Sequence, residues 1–315
     1  MFETNMETLP KNLIFATVFC VLTIFFLTRH RENRCITLTR VAADPSASDV
    51  SSFEACDKEC QYEQWLKTFT ASDPAYQDWC FNILKTGAGS SSQFEQDIFL
   101  FMNVYKYWPM EGRVGFYVDS GANDAEQMSN TFFYDKCLGW KGLCVEPLIQ
   151  YHEKIRKLRS CTLFPECVSD KKRFVNMGGV GAGAFVDEKA KIGSQVQCDS
   201  IQSMLSRSGN AGVEISLWSL DVEGHEMTIL KDLNYAQVNV LLFLIEDFWL
   251  SARELDLFMS QHSFLKYHQL AIDSVFVNRT RISSLQTVVW YPTRFQEFVE
   301  SNNQYRESVK GQLKC

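Results

Sequence analysis

Residues 238–245 read VNVLLFLI, apolar throughout after Asn239. A strand with apolar side chains on both faces has to be covered on both faces, which is the position of a central strand in a parallel sheet flanked by helices. The surrounding chain alternates as such a sheet requires. Short apolar runs at 114–118 (VGFYV), 142–145, 164–168 and 215–220 (ISLWSL) read as strands. Between them, 126–138 carries Met128, Phe132 and Phe133 at helical spacing, and 151–158 and 226–233 also read as helices. Ser251 reads as the N-cap of a helix with Leu255, Phe258 and Met259 on one face. Residues 266–270 and 274–277 read as a closing pair of strands. The expected fold is α/β: a doubly wound, mostly parallel Rossmann-like sheet with a closing antiparallel strand.

An N-terminal transmembrane helix is expected ahead of it. Residues 13–27 (LIFATVFCVLTIFFL) are almost wholly apolar, and the uncharged stretch 12–28 lies between Lys11 and Arg29. That is close to the shortest helix that crosses a bilayer, about 17 residues. A cleaved leader would end in small residues, whereas Thr28, Arg29, His30 and Arg31 follow, so an uncleaved signal-anchor is expected. The chain of 315 residues then divides into a tail (1–11), the anchor (12–28), a stem with a cysteine-containing cap (29–90), the α/β domain (91–280) and a C-terminal extension (281–315). Arg29, Arg31 and Arg34 behind the anchor favour a cytosolic domain by the positive-inside rule. The cysteines point the other way. There are eleven, and ten remain once Cys20 in the anchor is set aside. A disulfide-permissive lumen accounts for them, and Asn278-Arg279-Thr280 forms an N-glycosylation sequon. The expectation is a single-pass protein of the endoplasmic reticulum or Golgi with a luminal domain. Zinc is not expected, since no CxxC pair occurs. The net charge of −7, with no basic run longer than Lys171-Lys172-Arg173, argues against a nucleic-acid partner.

Three strand ends carry the chemistry. Asp119, Ser120, Gly121, Ala122, Asn123 and Asp124 follow the strand at 114–118. In such sheets ligands bind beyond the carboxyl ends of the strands. Gly121 lets a ligand approach the backbone, amides at a helix start would suit a carboxylate, and Asp119 could oppose an ammonium group. A tight turn without a ligand is the plainer reading. Glu146 closes the next strand, where an acid can accept hydrogen bonds from both ribose hydroxyls. Asp221, Glu223, His225 and Glu226 cluster after the strand at 215–220. So many charges call for a cleft. Asp221 is a candidate general base, and His225 is a second. With Asp221, Glu246 and Asp247 could hold a hard cation, though two solvated loop carboxylates are the preferred reading and no metal is expected. The glycine-rich stretch 178–183 has neither a clean strand before it nor a helix after it. It therefore reads as a lid rather than a nucleotide loop.

Together these blocks resemble one family. YVDSGAN at 117–123, Ser129-Asn130-Thr131, LGWKGLCVEP at 138–147 and SLDVEGHE at 219–226 are similar to the FkbM methyltransferases, as are Ser92-Gln93 and Gln96-Asp97. The resemblance runs from about Ser92 to Asn278. It implies a class I methyltransferase fold, S-adenosylmethionine as cofactor, and O-methylation of a sugar or another small polar hydroxyl acceptor. Asp119, Gly121 and Asn123 would line the methionyl end and Glu146 would hold the ribose. Asp221 and Glu223 would flank the methyl group, with His225 beside them. Two positions depart from the family pattern: Ala125 stands where glycine is usual, and His225 where alanine is frequent. A nicotinamide oxidoreductase would need a GxGxxG turn, and a glycosyltransferase a DxD triplet; neither is present. A non-catalytic, membrane-tethered binding protein that keeps the fold is the alternative.

Overall fold

The computed structural model describes residues 50–179, 181–186 and 194–281. The expected anchor, the tail and stem up to residue 49, and the extension from 282 lie outside the described residues. Among the described residues no helix is long and apolar enough to cross a membrane. The chain divides into two compact units, residues 1–64 and 65–315. The described part of the first belongs to helix α1, Val50–Lys67.

The second unit is built on seven strands: β1 (Phe116–Ser120), β2 (Lys141–Val145), β3 (Thr162–Phe164), β4 (Leu217–Leu220), β5 (Leu242–Glu246), β6 (Phe264–Leu270) and β7 (Asp273–Asn278). Their spatial order is β6-β7-β5-β4-β1-β2-β3. Strands β1 to β5 are parallel, while β7 runs antiparallel to both β5 and β6. The chain winds outward from β1 to β3, then returns to β4 on the other side of β1. That reversal opens a crevice beyond the carboxyl ends of β1 and β4, where doubly wound sheets bind ligands.

Both faces are covered, as the apolar run in β5 demands. On one face Val118, Leu143, Trp218, Phe243 and Ile245 pack against residues of α6 (Ile201–Arg207), α7 (Glu226–Asp232) and α8 (Ala252–Gln261). The other face is aromatic. Tyr105, Tyr134 and Trp140 meet edge-on or tilted, with ring centroids 4.5–5.6 Å apart. Three disulfides join pairs of described residues. Cys80–Cys137 joins α2 (Gln77–Thr86) to α4 (Phe132–Leu138), with the short α3 (Gln96–Leu100) between them in sequence, Cys144–Cys161 brackets α5 (Ile149–Leu158), and Cys167–Cys198 crosses a second sheet. That sheet has four short strands, Cys167–Val168, Arg173–Gly178, Phe185–Val186 and Ser194–Asp199, inserted between β3 and α6.

Several elements differ from expectation. The helix expected over 126–138 starts only at Phe132. Asn123 and Met128 have positive φ, and Asp124 Oδ1 accepts from the amides of Glu126 and Gln127, so the chain turns instead of coiling. The strand expected over 164–168 is two pieces, one in each sheet. The runs at 215–220 and 238–245 each break once, at Ser216 and Leu241, between a short outer pair and the main sheet. The sequon is also not a free side chain: Asn278 Nδ2 donates to the carbonyl of Val240.

Beneath β1 lies a buried charge network. The side chain of Arg159, at the end of α5, is fully buried. Its Nε donates to Asp135 Oδ2 at 3.2 Å and its Nη1 to Ser129 Oγ at 3.1 Å. Nη2 donates to Thr131 Oγ1, which in turn donates to Asp119 Oδ2. Tyr117 adds a 2.6 Å hydrogen bond to Asp135. Burial works against the guanidinium, but Tyr117, Asp119 and Asp135 outweigh it and hold Arg159 charged. Removing one partner of such a set strands the others. Arg159→Ala is therefore expected to cost about 3–5 kcal/mol in urea unfolding. Arg159→Lys should recover little of it, because one ammonium cannot span the same acceptors. A loss below about 1 kcal/mol in the alanine variant would show that the network carries little of the stability.

Candidate active site

At the reversal of strand order the ends of β1 and β4 touch. Gly121 has φ +81°, and a Cβ there would sit 1.9 Å from the carbonyl oxygen of Asp221. No other residue fits, both for the left-handed backbone and for the crossing chain. A cavity of about 230 Å³ opens beside this contact. Gly121, Asn123, Glu146, Asp221, Glu223 and His225 line it, six residues drawn from three separate sequence blocks. Met177, Gly181, Gly183 and Val186 line it from the second sheet.

Asp119 is the exception. Its carboxylate turns under β1, takes the Thr131 hydroxyl and lies 3.7 Å from Arg159, and it is not on the cavity wall. The cation it opposes belongs to the protein. The amides after β1 are also already used. Gly121 and Ala122 both donate to the carbonyl of Val145, at 3.0 and 3.2 Å, and Asn123 donates to Glu146 Oε2 at 2.7 Å. The expected helix start that would offer free amides to a carboxylate is absent there. Ala125 is fully buried, with its carbonyl on Arg159, and so does not crowd the cavity.

Glu146 is held at both oxygens: Asn123 donates to Oε2 and Leu148 to Oε1, each at 2.7 Å. Each oxygen keeps a second lone pair for a ligand. Burial raises its carboxyl to about 7 despite the two amides. Glu226, fully buried, accepts from the amides of Val222 and Gly224 and so shapes the loop that presents Asp221 and Glu223. Glu223, at φ +54°, accepts from Trp249 Nε1 at 3.1 Å. His225 precedes α7, with Nε2 3.4 Å from both Ser169 Oγ and Arg173 Nη2. It links the β4 loop to the second sheet.

Parallel pairing of Leu220 with Ile245 brings Asp221 beside Glu246 at adjacent strand ends. One carboxylate oxygen from each of Asp221, Glu223 and Glu246 lies within 4.8 Å of the others. Glu246 and Asp247 are both buried, contrary to the expected solvated loop carboxylates, and Asp247 points away: it accepts from Ser274 Oγ at 2.7 Å and from Gln269 Nε2. Burial, then the neighbouring acids, raises Asp221 well above the carboxylate range and Glu246 to about 10. Among the described residues no lysine or arginine lines the cavity. The second-sheet wall had no motif to announce it. Its one sequence signal, the glycine stretch at 178–183, does follow a strand (Arg173–Gly178), contrary to expectation, and Gly181 and Gly183 reach the cavity.

No protein-family model matches the sequence, and no curated protein sequence matches it. Among solved structures, the chain is similar to the methyltransferase FkbM from Methylobacillus flagellatus KT, at 10% sequence identity and a TM-score of 0.36. That match covers 71% of this chain and 60% of the other, so the chain spans about three fifths of the length of the protein it matches.

Glu146 sets a pH dependence. Its folded-state value of about 7 lies above the ordinary 4.5. The stability it contributes is therefore full below the ordinary value and is lost as pH rises through about 7. Glu146→Gln should lower the melting temperature at about pH 5, because its amide faces a backbone donor. It should also flatten the decline between about pH 5 and pH 8 by roughly 2 kcal/mol. An unchanged slope in thermal melts across that range would remove Glu146 as its source.

Proposed function

We propose that the chain is an S-adenosylmethionine-dependent methyltransferase of the FkbM type, acting on a hydroxyl of a sugar or another small polar acceptor. The observation that carries the reading is an acid-lined cavity at the strand reversal, without a lysine or arginine among the described residues of its wall. A dinucleotide would bring a pyrophosphate to a wall whose described residues include no lysine or arginine and where the amides of Gly121 and Ala122 are spent on Val145. A sulfonium nucleoside brings a positive charge, which the acids attract. Support also comes from the convergence of Gly121, Glu146 and Asp221, picked from separate blocks, on one cavity.

The residues divide the work by position. Glu146, with lone pairs left on both oxygens, takes the ribose hydroxyls. Asn123 lines the same cavity, and its backbone amide holds Glu146 in place. With the amides of Gly121 and Ala122 spent on Val145, the methionyl carboxylate has to find other donors. Bound there, the sulfonium supplies an electrophilic methyl group, which an acceptor oxygen takes with loss of a neutral thioether. Asp221 receives the acceptor proton. Its burial makes it a stronger base than an exposed aspartate, and the incoming positive charge favours its ionised form. His225 is the alternative proton acceptor on the same wall. Alignment in a cavity closed by the second sheet supplies much of the remaining advantage.

The reading extends to location. A luminal domain behind an anchor at 12–28 agrees with three disulfides, which persist in oxidising compartments. The sequon adds little support, because the Asn278 amide is hydrogen-bonded in the fold.

Calorimetric titration with S-adenosylhomocysteine tests the assignment. The wild-type chain should bind. Glu146→Ala should weaken binding at least about tenfold, the worth of one to two hydrogen bonds. Asp221→Asn should keep binding and lower methyl transfer by about 10²-fold or more. No heat with the wild-type chain would sink the proposal. Binding without transfer to any hydroxyl acceptor would favour a tethered binding protein instead.

A further inference from the structure

The ends of β4 and β5 pose a problem that the methyl donor does not solve. Glu246 is only 6% exposed, and its Oε2 finds no hydrogen-bond donor among the described residues. It is on the cavity wall, with an oxygen within 4.8 Å of oxygens from Asp221 and Glu223. A buried carboxylate oxygen without a donor is costly, and two neighbouring acids make it more so. Sheet geometry forces the arrangement, since adjacent parallel strands end side by side and their next residues are Asp221 and Glu246. Glu223 is then turned toward them by a loop that Glu226 pins through two backbone amides. Three oxygens thus converge from one side, while the cavity leaves the other side open.

We propose that Asp221, Glu223 and Glu246 bind a hard divalent cation such as Mg²⁺ or Mn²⁺. The donor set is all oxygen and all acidic, which suits such ions and does not suit thiophilic metals. The three ligands occupy one side of the coordination sphere. The remaining positions face the cavity, open to water or to the oxygens of an acceptor. A cation placed there would give the Glu246 oxygen a partner, offset the repulsion among the acids, and favour acceptors with two neighbouring oxygens. The site does not depend on the methyl-donor reading, because its residues and its need for a partner are properties of the chain alone.

The test uses the full-length chain near neutral pH, without nucleoside. Mn²⁺ uptake is followed by the electron-paramagnetic signal of the free ion, and Tb³⁺ uptake by emission excited through tryptophan. One Mn²⁺ per chain is expected. Asp221→Asn and Glu246→Gln should each weaken it at least about tenfold. Both should keep a cooperative thermal melt in the metal-free chain, which shows that the variants are folded. Trp249, whose Nε1 bonds Glu223, reports position: Trp249→Phe should keep Mn²⁺ uptake and lose most of the Tb³⁺ emission. No saturable uptake by the wild-type chain, equal uptake by both acid variants, or full Tb³⁺ emission in Trp249→Phe would each overturn the proposal. Because no nucleoside is present, failure here is distinct from failure to bind S-adenosylhomocysteine.

Discussion

A single guanidinium under the sheet orders the loops that surround the cavity. Arg159 closes α5 and reaches the Ala125 carbonyl, Ser129 and Thr131 in the loop before α4, and Asp135 within it. Through Thr131 it also fixes Asp119 at the end of β1. The turn from Gly121 to Ser129 has no regular hydrogen-bond ladder of its own. Its shape comes from these side-chain bonds, from Asp124, and from the amides that Val145 and Glu146 accept. Because the set is buried, its bonds are strong, and so is the penalty for leaving one unmade.

In contrast to this paired network, the cavity beyond the carboxyl ends of β1 and β4 is acidic. Glu146, Asp221, Glu223 and Glu246 all have carboxyls raised by burial, and no lysine or arginine among the described residues offsets them on its wall. The molecule therefore holds these acids ready for positive charge from outside. A sulfonium and a divalent cation are both such charges. They would occupy different ends of the space: the nucleoside beside Glu146 at β2, the ion where β4 and β5 end. Asp221 stands between the two, which makes it the residue through which one ligand would influence the other.

Much of the fold was legible because it follows from local pattern. The apolar run in β5 required cover on both faces, and helices supply it. The expected antiparallel closure is β7. Strand ends were readable too, since Glu146 and Asp221 each follow an apolar run directly and Gly121 follows one within three residues. The errors came where long-range partners overrule local spacing. Met128, Phe132 and Phe133 repeat like a helix, yet Asp124 and Arg159 hold the first half of that segment as a turn. Residues 164–168 are apolar enough for one strand, yet Cys167 leaves the main sheet to pair with Cys198 in the second.

The sequence by itself determined the layering of the domain and the blocks that follow its strands, because period and strand-end chemistry are carried by neighbouring residues. It could not decide which of two acids at the end of a strand faces the cavity. Glu246 turns in and Asp247 turns out to Ser274 and Gln269, a choice made by β7 alongside. It could not show that Asp119 would meet an arginine 40 residues away rather than a ligand, since that pairing exists only once α5 packs under β1. Those assignments depend on which charges share a buried space, and only the folded chain defines that space.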